Sequence, residues 1–304
     1  MRNSWRALLL SGAMLLAAGL FPLHRAIADD MKLLHSERSL YREVLVYEAG
    51  GVRCICFTRF CRIGRQTCQD VKQPGRIVMT YPRMMLGALF VKPDPRSVLI
   101  IGLGGGTIPR ALREVVPEAT IDVVEIDPAV VKVARRFFDL GDSSAVNVIE
   151  ADGRVQVKSA LRQQKRYDMI MLDAFDHEYI PEHLLTREFL EEVKALLAPG
   201  GVLAANTFSS SRLYDHESAT YAAVFPQFFN LKRENRVIIA ANGPLPSDAE
   251  LRANAEQFEE AFESFGFSTS KVLALFSRKQ DWKPNARVLT DQYSPANLLN
   301  LRGN

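Results

Sequence analysis

The segment YDMIMLDAFDHEYIP (Tyr167 to Pro181) ends an apolar run in two carboxylates, Asp173 and Asp176, beside His177, Glu178 and Tyr179. A carboxylate pair of this kind can divide the work of amine chemistry. An alkylamine is protonated at neutral pH, with a pKa of about 10.4 in the case of lysine. A site that uses it as a nucleophile must hold the cation, remove a proton and aim the nitrogen. One carboxylate can bind while the other accepts. Asp173 directly follows an apolar strand, where loss of solvent raises a carboxyl pKa, so it is the better base. Asp176, His177 and Glu178 are the wetter groups. The alternative is a solvated loop cap.

A second cluster decides between the two. The turn IGLGGGT carries Gly102, Gly104, Gly105 and Gly106, which let the backbone approach a ligand closely. Glu125 closes one apolar strand, where a carboxylate can bond both ribose hydroxyls. Asp152 and Gly153 close another, where an acid can bond an adenine amino group. Glu125 at the start of a helix is also where the dipole favours a carboxylate, which does not exclude ribose binding. The pattern is G-x-G-G-G rather than the dinucleotide G-x-G-x-x-G, Pro109 lies early in the following helix, and LLAPGG precedes a later strand. Together these favour an S-adenosyl nucleoside over a dinucleotide. No histidine shows metal-ligand spacing with acids or cysteines, so no metal is expected.

These residues need a scaffold that gathers strand ends. Apolar strands at 98–101, 121–124, VNVIEAD, YDMIMLD and VLAANTF alternate with helical segments beginning near Ile108, Pro128, Arg154 and Thr186. Such alternation predicts an α/β fold: a parallel sheet with helices on both faces, binding its ligand at the carboxyl ends of the strands. Asp173 sits at such an end. Before it, REVLVYEA and VRCICF flank Gly50-Gly51 and read as a hairpin. The stretch RFCRIGRQTCQDVKQPG is polar and turn-rich, IVMTYPRMMLGALFVKP turns helical in its second half, and KPDPRS is a linker. The expected organisation is a small β-rich unit over 29–95, then a Rossmann-like unit over 96–304 with a C-terminal extension.

Residues 1–28 stand apart. Arg2 and Arg6, an apolar run from Ala7 to Leu23 and the small-x-small site Ala26-Ile27-Ala28 have the layout of a secretory signal peptide, or of an anchor if uncleaved. The body is then expected on the exported, periplasmic side, and in the cytoplasm only if the segment is misread; membrane contact is expected only from an uncleaved anchor. Cys54, Cys56, Cys61 and Cys68 could form up to two disulfides in three pairings. A bridge between Cys54 and Cys56 would be strained, so each pairs elsewhere or stays free. Taken alone, they fit small buried residues of a sheet. With 304 residues, 47% hydrophobic and a net charge of +3, the chain is an ordinary globular one with no basic run that would mark a nucleic-acid partner.

With these residues in place, the chain resembles the spermidine synthase (polyamine aminopropyltransferase) family over about residues 40–240, in VVEIDPAVV, in DGR and in the acid pair after the fourth strand. RVLTDQYSPANLLNL resembles the tail of bacterial members. The resemblance implies an S-adenosylmethionine-type Rossmann fold, decarboxylated S-adenosylmethionine or S-adenosylmethionine as co-substrate, no tightly bound cofactor, and a homodimer. It implies Asp173 as general base, Asp176 as binder of the polyamine cation, Tyr81 in the polyamine channel and Gln66 in a loop over the site. Two departures stand out. The family's G-G-G-D-G-G has Gly105 where its aspartate holds the donor amine, and Y-H-E or Y-Q-E is here Tyr81-Pro82-Arg83, so that Arg83 is expected to repel a diamine. The leading expectation is aminopropyl transfer to a polyamine. A methyltransferase on the same fold is favoured by Gly105. A non-catalytic exported binder of polyamine or nucleoside is favoured by the leader, since the family's donor is made in the cytoplasm.

Overall fold

A computed structural model describes residues 31–59, 61, 64–141, 144–175 and 181–300. The expected leader at 1–28, and Asp176 with its neighbours His177, Glu178 and Tyr179, lie outside the described residues. No helix among the described residues is long and apolar enough to cross a membrane.

Two sheets organise the chain. The first is a four-stranded antiparallel meander of β1 (Lys32–Arg38), β2 (Glu43–Ala49), β3 (Val52–Cys56) and β4 (Arg65–Asp70). The hairpin turns at Gly50 and Gly51, both at positive φ, as their sequence requires. β1 and β4 were not legible in the sequence. β4 reads RQTCQD, polar enough to pass for loop, and it is held as a strand by its ladder to β3. Cys54 lies directly opposite Cys68 in that ladder and the two form a disulfide; Cys56 pairs with Cys61. All four are buried with Leu45 on one face of the sheet, so the disulfide and buried-residue readings both hold. The other face sends Val44, Val46 and Ile55 against the helix Pro128–Phe137, following the two-residue alternation of strands.

After α1 (Thr80–Leu86) and α2 (Ala88–Val91) comes the second sheet: β5 (Ser97–Ile101), α3 (Thr107–Val115), β6 (Thr120–Glu125), α4 (Pro128–Phe137), β7 (Val146–Glu150), α5 (Gly153–Arg162), β8 (Tyr167–Leu172), α6 (Arg187–Leu196), β9 (Leu197–Phe208), α7 (Leu213–Val224), β10 (Phe228–Lys232) and β11 (Asn235–Ala241). Among the described residues the strand order is β10-β11-β9-β8-β5-β6-β7. The five strands β5 to β9 are parallel, as expected; β10 and β11 add an antiparallel hairpin at one edge, so the sheet is mixed. Alternate residues feed the two faces. Val98, Ile100, Met169 and Met171 join the core beneath α1, α2 and α3, while Leu99, Ile101, Ile170 and Leu172 join the core beneath α5, α6 and α7. Apolar residues on both faces are what make the central strands near-continuous hydrophobic runs.

Candidate active site

The carboxyl ends of β5, β6, β8 and β9 open into one cavity of about 820 Å³, roofed by the small sheet. This is where an open α/β sheet places its ligand. The strand ends are knitted together first: Asp173 N donates to Ile101 O at 2.7 Å, and Gly102 N donates to Val124 O at 2.8 Å. Gly102 has φ +100° and lies so close to the backbone of Asp173 that a Cβ would strike its carbonyl. Only glycine lets the turn after β5 lie against the end of β8.

Asp173 lines the cavity, with Asn206 Nδ2 donating to its Oδ1 at 2.9 Å and the Tyr81 hydroxyl as a second hydrogen-bond partner. Its carboxyl is pushed up to about 7, chiefly by burial and also by the nearby Glu125, against the pull of the two donors. A carboxyl poised there exchanges a proton readily at neutral pH. Burial and the Asp173 charge also raise the Tyr81 hydroxyl well above its usual value, so it stays a donor.

On one side of Asp173 lie the nucleoside candidates. Leu103 N donates to Glu125 Oε2 and Asp127 N to Oε1, both at 3.0 Å, which fixes the carboxylate and leaves each oxygen a further lone pair. Burial raises Glu125, against those two backbone donors. Asp152 caps α5, accepting from Val155 N at 2.9 Å through Oδ1, while Oδ2 meets His183 Nε2 at 3.0 Å. Gly153 lies beside it against Ile101 and Leu184. Gly102 and Gly104 face the cavity; Gly105 and Gly106 are buried behind them. Gly105 N donates to Thr67 Oγ1 at 2.9 Å. A Cβ on Gly105 would lie 2.7 Å from Thr67 Cγ2 and 3.0 Å from the Phe138 ring. The threonine of β4 fills the space that a side chain at 105 would need.

On the other side, Tyr81 and Gln66 both line the cavity, and the Tyr81 hydroxyl is also 3.3 Å from Gln66 O. Arg83 does not face it. Its guanidinium donates to Ile77 O at 3.0 and 2.5 Å and to Val78 O at 3.3 Å, and it lies over Phe267. The expected repulsion of a diamine is therefore corrected. Pro82, in the first turn of α1, is tolerated because its missing N–H has no helical partner there.

Several lining residues were not singled out from the sequence: Asn206, Asn235, Glu234, His183, Arg42 and Phe57. Asn206 could have been found, because it is the first strongly polar residue near the carboxyl end of VLAANTF, as Asp173 is just past the end of its own strand. Asn235 and Glu234 belong to the β10–β11 hairpin, which has no Gly or Asn-Gly turn signal. Arg42 stacks on Phe57, 4.3 Å from its centroid, and its charge acts on Glu125. Among the described residues no cluster of histidine, cysteine and acid could hold a metal.

Comparison with known proteins agrees with this geometry. Residues 79–232 match the spermine/spermidine synthase domain. The chain is 46% identical over 272 residues to the polyamine aminopropyltransferase of Vibrio vulnificus, covering 88% of this chain and 91% of that one. Its fold matches a probable spermidine synthase from Corynebacterium glutamicum (TM-score 0.64, 20% identity, 84% of this chain and 96% of the other). It also matches human methyltransferase-like protein 13 in complex with SAH (TM-score 0.53, 24% identity, 73% and 100%).

Proposed function

We infer that this chain, which belongs to the spermine/spermidine synthase family, moves the aminopropyl group of decarboxylated S-adenosylmethionine onto a primary amine of a polyamine. The neutral nitrogen attacks the carbon beside the sulfonium. A C–N bond forms, the C–S bond breaks with its electron pair going to sulfur, and methylthioadenosine leaves. The proton that the incoming ammonium loses to become that neutral nitrogen passes to Asp173, and the product nitrogen stays protonated. Glu125 takes the ribose hydroxyls and Asp152 the adenine edge, with Gly102, Gly104 and Gly153 giving the nucleoside close backbone contact. Gly105 and Gly106 shape the turn from behind. Tyr81 and Gln66 line the acceptor channel, and Asp176 is the expected second cation binder.

The carrying observation is the place of Asp173. It lines the same cavity as Glu125, Asp152 and Tyr81, hydrogen-bonded to Tyr81 and near enough to Glu125 to feel its charge, with its carboxyl raised to about 7 by burial. Such a group can take a proton from an ammonium whose own pKa falls as it is desolvated. Orientation of the nitrogen supplies much of the remaining rate. The test is parallel incubation of the protein and putrescine with decarboxylated S-adenosylmethionine and with S-adenosylmethionine, followed by mass spectrometry. Spermidine and methylthioadenosine from the first donor are expected. A methylated amine from the second would replace this reading.

That replacement has one observation in its favour. The donor's amine finds no carboxylate at Gly105, and Thr67 and Phe138 leave none room to enter. A methyl donor carries a carboxylate of its own and needs no acid there.

We further propose that the chain works outside the cytoplasm. Two disulfides on the small sheet suit an oxidising compartment. Cell fractionation with N-terminal sequencing should find a periplasmic chain beginning at Asp29. A cytoplasmic chain retaining Met1 would refute this.

A further inference from the structure

We propose that Asn235 is a positioning residue for proton transfer: through the amide of Asn206 it decides that Asp173 is met by a donor rather than by an acceptor. The inference rests on Asp173 being the base.

The register of the sheet makes the contact. β11 runs antiparallel to β9 with Val237 opposite Asn206 and Asn235 opposite Phe208. Asn235 is two residues from Val237, so it shares the face of Asn206 and reaches it diagonally. Asn235 Nδ2 donates to Asn206 Oδ1 at 3.0 Å, and Asn206 Nδ2 donates to Asp173 Oδ1 at 2.9 Å. Asn206 is only 6% exposed, so it cannot exchange these partners freely for water.

A primary amide has one donor end and one acceptor end. With its oxygen occupied by Asn235, Asn206 can present only N–H to Asp173. Turned through 180°, it would present a carbonyl oxygen to a carboxylate. That arrangement is tolerable only when the carboxyl is protonated, and a protonated Asp173 cannot act as a base. The remaining groups facing Asp173 are the Tyr81 hydroxyl from α1, which donates, and the Glu125 carboxylate from β6, which repels its charge. Loss of the Asn206 donor would leave Tyr81 alone against burial and Glu125.

Asn235→Asp is the sharpest test. It is close to isosteric, and a carboxylate at that position can only accept, so the Asn206 amide must turn its N–H toward it. Two readouts are taken. The first is the Asp173 titration in the free protein, followed by carbon-13 NMR of labelled aspartate carboxyls and assigned with Asp173→Asn. The second is the acid limb of kcat/KM against pH with decarboxylated donor and diamine. Both should move to higher pH by about one unit or more, since a hydrogen bond to a charged group is replaced by an opposed one and the new carboxylate adds its own repulsion; an uncharged variant isolates the amide's part. Asn235→Ala, which frees the amide without reversing it, should move both by less. It also serves if Asn235→Asp fails to fold. An unmoved titration in the folded variants overturns the proposal, whatever happens to the rate. A wild-type protein that turns over no diamine would sink the functional reading instead, and the NMR titration would still decide the role of Asn235.

Discussion

Replacing Asp173 by Asn should cost activity and add stability, and the stability gain should depend on pH with a definite sign. The folded protein holds the Asp173 proton to about pH 7, against 3.8 for the unperturbed group. An acid whose pKa is raised on folding binds its proton more tightly in the native state. Its ionisation therefore destabilises the fold, with no penalty below about pH 4 and the full penalty above about pH 7. The difference of 3.2 units (7 minus 3.8) corresponds to on the order of 4 kcal/mol. An amide removes the charge but cannot satisfy Asn206 and Tyr81 as well, so a net gain of about 1–2 kcal/mol at pH 8 is expected, set against the ~1–3 kcal/mol cost of a polar group left badly paired. In a chain of this size that is a rise in Tm of about 2–6 °C. At pH 5 the unfolded chain is only 1.2 units past its own titration (5 minus 3.8), the penalty has shrunk to about 1.6 kcal/mol, no more than the pairing cost, and the gain should vanish. Calorimetry at the two pH values reads this directly. Turnover should fall by about 10²- to 10⁴-fold, the usual worth of a positioned base. Methylthioadenosine affinity, read by titration calorimetry, should hold. A variant whose gain over the parent protein is no larger at pH 8 than at pH 5, or one with undiminished turnover, would refute Asp173 as a buried base.

Further outcomes follow from the same geometry. Glu125→Gln keeps an acceptor but offers an N–H to the Leu103 or Asp127 amide, and should weaken methylthioadenosine binding by about tenfold or more in calorimetry. Gly105→Asp should not restore the family's donor contact; overpacking against Thr67 and Phe138 should lower stability by about 1–3 kcal/mol in urea melts, with no gain in affinity for the decarboxylated donor. Removing the Cys54–Cys68 bridge as a double alanine variant opens a loop of 14 residues and should cost about 2–3 kcal/mol in denaturant melts.

Most of the larger sheet was legible because buried parallel strands announce themselves: SVLII and YDMIML are apolar on both faces and are bounded by glycine or charge. Two acids of the cavity could be picked out for a related reason, since Glu125 directly follows Val123-Val124 and Asp152 comes two residues after Glu150 at the end of VNVIE. What was hidden depended on partners far away in sequence. β4 is polar and becomes a strand only through its ladder with β3. Arg83 looked like a channel residue by position, yet the carbonyls of Ile77 and Val78 turn it away. Asn235 acquires its role from a register, Val237 opposite Asn206, that no local pattern encodes.

Gly105 shows how one such hidden contact changes the reading of a motif. In sequence it is a loss: the aspartate that the family uses to hold the donor amine is missing. In the structure the position is not empty, because Thr67 Oγ1 accepts from Gly105 N, and the threonine methyl and the Phe138 ring close the space. Thr67 lies next to Cys68, whose disulfide ties β4 to β3, so the group that fills the gap is itself held in place. A side chain lost in isolation leaves a cavity, and cavities cost stability; here Thr67 of the neighbouring sheet occupies that space. If the cavity takes the decarboxylated donor as proposed, recognition of the donor's amine must come from groups that do face the cavity. Among the described carboxylates that line it, Glu125, Asp127 and Asp152 are already engaged by backbone amides, which leaves Asp173 and the exposed Glu234 as the negative charge nearest to hand. Asp173 would then meet the donor cation as well as the acceptor, and a bound decarboxylated donor should lower its titration, whereas methylthioadenosine, which lacks the amine and the sulfonium charge, should not. Carbon-13 NMR of the Asp173 carboxyl with each ligand separates the two cases. Equal titration in both complexes would show that the donor cation is read elsewhere.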